Sequence, residues 1–100
     1  MSYDPGALHA ALAAAVGDDS ALIADLRIAF IESASRQLDL MGRARCDANW
    51  QLAAWRLKGL AASFGVTALM ALSDEAARSV PGDPRIMRQL RMAIAALEQD

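Results

Sequence analysis

Apolar residues recur at three- and four-residue spacing along almost the whole chain, the period of helices that bury one face. Leu8, Leu12 and Val16 predict a first helix reaching about Ala15 and stopped by Gly17. Asp4-Pro5 reads as its N-cap followed by proline at the first helical position. Leu22, Leu26, Phe30, Ala34 and Leu38 recur every four residues, with Ile23, Ile31 and Met41 beside them. They predict a long second helix over Ser20–Arg43, capped from Asp18, Asp19 and Ser20. After a short turn at Cys46, Asp47 reads as the N-cap of a third helix, about Ala48 to Phe64, ended by Gly65. A fourth helix follows, about Thr67 to Ser79, with Leu69, Leu72, Ala76 and Val80 inward and Asp74, Glu75 and Arg78 on its solvated side. Pro81-Gly82-Asp83-Pro84 breaks the chain and repeats the cap-plus-proline device. The last helix, about Pro84 to Glu98, turns Ile86, Leu90, Ile94 and Leu97 inward, with Arg85, Arg88 and Arg91 off that stripe.

Four long amphipathic helices joined by short turns pack antiparallel. The expectation is an all-α, antiparallel up-and-down four-helix bundle, with the short extra N-terminal helix capping one end. A chain of 100 residues makes a single domain spanning 1–100. Composition agrees, being 55% hydrophobic but only 5% aromatic, with much of the apolar share alanine. A net charge of −2 argues against nucleic acid as a partner, because phosphate backbones demand a basic face. No apolar run has membrane-spanning length, and the N-terminus lacks the order of a signal peptide. With the lone Cys46 excluding an internal disulfide, the chain is expected to be cytoplasmic. One histidine, one cysteine and no ligand spacing leave no catalytic triad, metal site or phosphate-binding glycine loop, so neither a cofactor nor enzyme activity is expected. His9 reads as a surface residue.

The third helix carries the odd chemistry. Ala53, Leu57, Leu60, Ala61 and Phe64 share one face, which Trp50 extends backwards. Trp55 points the opposite way, among Ala48, Gln51, Leu52, Lys58, Gly59 and Ala62. A glycine inside a helix costs about 1 kcal/mol relative to alanine. On an outer face, one turn after a tryptophan, it suits the close approach of something outside. Lys58 is the only lysine in the chain.

The run Trp55-Arg56-Leu57-Lys58-Gly59-Leu60-Ala61-Ala62-Ser63-Phe64-Gly65 resembles the signature of histidine-containing phosphotransfer (HPt) domains. That signature is a histidine, two residues, Lys-Gly, small residues, an apolar residue and glycine. The resemblance covers nearly the whole chain, including the long helix before the signature, and implies the same bundle. It departs at position 55, where the phosphoryl-accepting histidine is replaced by Trp55. An indole has no ring nitrogen with an available lone pair, so the acceptor chemistry is lost.

By this resemblance Lys58, which in the family neutralises a phosphoryl group, is left to meet a partner's acidic site. Gly59 admits the partner, and Gln51 and Ala62 complete the patch around Trp55. The implied role is a module of a two-component phosphorelay that binds a response regulator receiver domain or a histidine kinase without taking up phosphate. Two alternatives stay open. One is a helical interaction or dimerisation module, self-associating through the Trp55 face. The other is a phosphotransfer protein whose acceptor has been substituted.

Overall fold

Five α-helices carry the chain in the computed structural model, which describes residues 6–98. They are α1 (Ala7–Val16), α2 (Ser20–Arg43), α3 (Asp47–Ser63), α4 (Thr67–Ala77) and α5 (Pro84–Leu97). No strand occurs among the described residues. The all-α expectation holds at that level. The Asp4-Pro5 cap lies outside the described residues.

α2 is the longest element at 24 residues, about 36 Å at 1.5 Å per residue, most of the 43 Å long axis of the molecule. Its strict four-residue repeat drifts around the helix. Measured from Phe30, Ile23 and Met41 fall within about 20°, while Leu22 lies at about 80°. Phe30, Ile23 and Met41 are buried accordingly and Leu22 is exposed, so the inner edge begins at Ile23 rather than Leu22. The Asp19 carboxylate accepts from the Leu22 N–H at 3.0 Å and fixes where α2 starts. Asp83 does the same for α5 through the Arg85 N–H at 2.9 Å.

α1 packs on α2, and the pairs α2–α3, α3–α4, α4–α5 and α5–α2 trace a closed ring, with α3–α4 the most extensive. Trp50 is the largest fully buried side chain. Its indole N–H donates to the Ala76 carbonyl at 2.6 Å, tying α3 to α4 through a polar group that would otherwise be buried unpaired. Phe30 of α2 meets Phe64 edge to face, centroids 5.0 Å apart.

The end of α3 is fixed by its backbone. Val66 N–H donates to the Ala61 carbonyl at 3.0 Å and Gly65 N–H to the Ala62 carbonyl at 3.2 Å. This double closure requires a left-handed residue, supplied by Gly65 at φ 65°.

Three sequence expectations need correction. Asp47 is the first residue of α3 and not its cap; Cys46 holds the cap position and makes no side-chain bond there. α3 stops one residue early, at Ser63, leaving Phe64 as its C-cap. α4 ends at Ala77, two residues early, and Val80 is exposed. Pro81 follows Val80 directly and disfavours helical backbone there, so the helical phase that placed Val80 inward no longer applies.

Candidate functional site

Every residue of the candidate site stands on α3 except one partner that sequence did not reveal. α2 and α4 clasp α3 from two sides. The buried arc is therefore wide: Trp50, Ala53, Ala54, Leu57 and Ala61 are all buried. Leu60 and Phe64 are only half-buried. What remains outward is the strip centred on Trp55, which is 55% exposed. Relative to Trp55, Ala48 and Ala62 lie within about 20° around the helix, Gln51 and Gly59 within about 40°, and Leu52 and Lys58 at about 60° on opposite sides. Ala48, Leu52, Gly59 and Ala62 are exposed, and Gln51 and Lys58 are half-buried.

The structure therefore gathers Gln51, Trp55, Lys58, Gly59 and Ala62 on one surface. Among the described residues an added Cβ at Gly59 meets no atom within 4 Å. Gly59 is not making room for a neighbouring helix of this chain. Its carbonyl accepts from the Ser63 hydroxyl at 3.0 Å. Alanine at position 59 should accordingly stabilise the fold by about 0.5–1 kcal/mol. The urea midpoint of Gly59→Ala is the measurement; a lower midpoint would show strain that the open space does not reveal.

Lys58 has an acidic neighbour within its own chain, which the sequence reading did not expect. Its ammonium donates to Asp74 of α4 at 3.0 Å, and Arg78 approaches the other Asp74 oxygen at 3.3 Å. The sequence reading had placed Asp74, Glu75 and Arg78 on a solvated side. Arg78 is indeed exposed and pairs within its own helix, but Asp74 and Glu75 are half-buried and bridge helices, Asp74 to Lys58 and Glu75 accepting from Arg85 of α5 at 2.9 Å. The hydrogen bond and charge of Lys58, joined by the Arg78 guanidinium, hold the Asp74 carboxyl below its ordinary value of 3.8.

A depressed carboxyl pKa contributes stability above the unfolded value, lost as pH falls through the folded one. The stability gap between wild type and Asp74→Asn should thus be full at neutral pH and narrow below pH 3.8. Thermal melts at neutral and acid pH test this; a gap that widens in acid rejects the pairing as its cause.

Other sequence candidates lie elsewhere. His9 is exposed on α1, its Nδ1 3.4 Å from Arg27 Nη2 of α2. Cys46 is exposed at the start of α3. Among the described residues no three His, Cys, Asp or Glu side chains gather as a metal site. Among them, too, no helix is long and apolar enough to cross a membrane. Compared with known proteins, the chain matches no family model, no curated protein and no solved structure.

Proposed function

We propose that this chain is an HPt-like signalling module, an antiparallel up-and-down four-helix bundle with a short extra N-terminal helix, working in the cytoplasm. It binds a receiver domain or a histidine kinase through the outer face of α3 and takes up no phosphate. The observation that carries this reading is the exposed Trp55, standing at the signature's acceptor position beside the open space over Gly59. Tryptophan dominates interface energy out of proportion to its frequency. Small neighbours at 59 and 62 let a partner close around its ring.

The test is incubation with a phosphorylated receiver domain carrying labelled phosphate. Wild type should bind it and stay unlabelled. Trp55→His should acquire acid-labile label, because Lys58 and Gly59 still frame the position. Label on the wild type, or no binding by either form, defeats the reading.

The Lys58–Asp74 pair favours a second reading. With its lysine already neutralised, the face is less electrostatically suited to an acidic receiver site and better suited to a mostly apolar contact. That is a helical interaction or dimerisation module outside any phosphorelay. Self-association lost in Trp55→Ala, measured by sedimentation, distinguishes it.

A further inference from the structure

A groove of about 340 Å³ runs between the C-terminal turns of α2 and the first half of α3. That is the small end of the roughly 300–1,000 Å³ range of ligand pockets, room for a few side chains. Leu40, Leu52 and Ala53 line it with apolar surface, and Arg43, Arg56 and Asn49 with polar groups. Leu40 and Leu52, from facing helices, are 42% and 45% exposed. Two large aliphatic side chains left in water on one groove mark a surface with something to gain from being covered.

The charges say what kind of cover fits. The lining holds two guanidinium groups and no carboxylate. Among the described residues Arg56 forms no ion pair. Among them, too, Arg43 pairs only with Asp39, one turn back on the same helix, at 2.9 Å and with both side chains well exposed. Such solvent-screened pairs exchange readily for a better partner. Guanidinium presents a planar fork of donors that matches a carboxylate in two parallel bonds.

We propose that this groove binds a short acidic amphipathic peptide segment of a partner protein. One apolar side chain of the segment sits between Leu40 and Leu52. Its carboxylates engage Arg43 and Arg56, and Asn49 bonds its backbone. A nucleic acid fits poorly, because the floor is apolar and the chain carries a net charge of −2. A second copy presenting the same groove fits poorly too, since it sets arginine against arginine. The groove excludes Trp55, Lys58 and Gly59 and shares only Leu52 with the outer strip, so this site goes beyond the docking face above and does not depend on it.

The experiment is selection of a displayed library of random twelve-residue peptides on the full chain at low salt. Enriched peptides are then titrated as synthetic ligands. They should carry at least two carboxylates around a Leu, Ile, Met or Phe, and should bind more weakly as salt rises. Arg56→Gln and Leu52→Ser, both on exposed positions, should each lower affinity tenfold or more. Arg91→Glu, on α5, should change it less than twofold. No enrichment, enrichment of basic or uncharged peptides, indifference to Arg56→Gln, or self-association through the groove each overturns the proposal. A chain that selects acidic peptides but ignores receiver domains keeps this site and loses the phosphorelay reading.

Discussion

Trp50→Ala should destabilise the fold by about 3–5 kcal/mol, the cost of emptying a large buried aromatic site. A small domain holds only about 5–15 kcal/mol in total. This one substitution should therefore remove a large share of the stability and bring the urea midpoint down steeply. Two losses combine. The ring leaves a cavity between α3 and α4, and the 2.6 Å bond to the Ala76 carbonyl disappears. Trp50→Phe separates them, keeping most of the apolar volume and losing the indole donor. The Ala76 carbonyl still accepts from Ser79 N–H at 3.0 Å, so the phenylalanine variant should cost much less than the alanine one. A Trp50→Ala protein within 1 kcal/mol of wild type would mean that the α3–α4 contact does not anchor the core.

Trp55→Ala should do the reverse. The side chain is more than half exposed, so its removal opens no cavity. Alanine is the better helix former, and the folded state should change by no more than about 0.5 kcal/mol. Binding is where the loss should appear. Truncating a tryptophan at the centre of an interface costs about 2 kcal/mol or more, roughly thirtyfold in affinity. Calorimetric titration of wild type and variant against the partner, beside their melting temperatures, gives both numbers. If Trp55→Ala lowers the melting temperature and leaves affinity untouched, Trp55 is a packing residue and the outer face of α3 binds nothing.

The elements themselves were legible because their signals are local. The Asp19 and Asp83 caps act within three residues; Asp19 with the apolar period marks α2, and Asp83 marks the start of α5. Trp55 was placed outward by phase alone. What failed was non-local. Lys58 and Asp74 are sixteen residues apart on different helices, and no period within either helix announces the other. The groove of Leu40 and Leu52 depends on how α2 and α3 are rotated against each other. Ala54 is buried, although it lies off the stripe read for α3, because two helices flank α3 and cover more of its circumference than one would. Asp47 failed for a smaller reason: acidic residues suit both the cap and the first turn of a helix, and composition does not separate those positions.

The placement of the Trp55 strip on α3 has a kinetic consequence. α3 is held along both flanks and locked at its end by the Gly65 closure, so its amides should be among the last to exchange with deuterium. A recognition surface carried on such a helix reaches its partner already ordered and pays little entropy on contact. Association should then proceed in a single step at ordinary encounter rates. Differences in grip among variants should be written in how long the complex lasts.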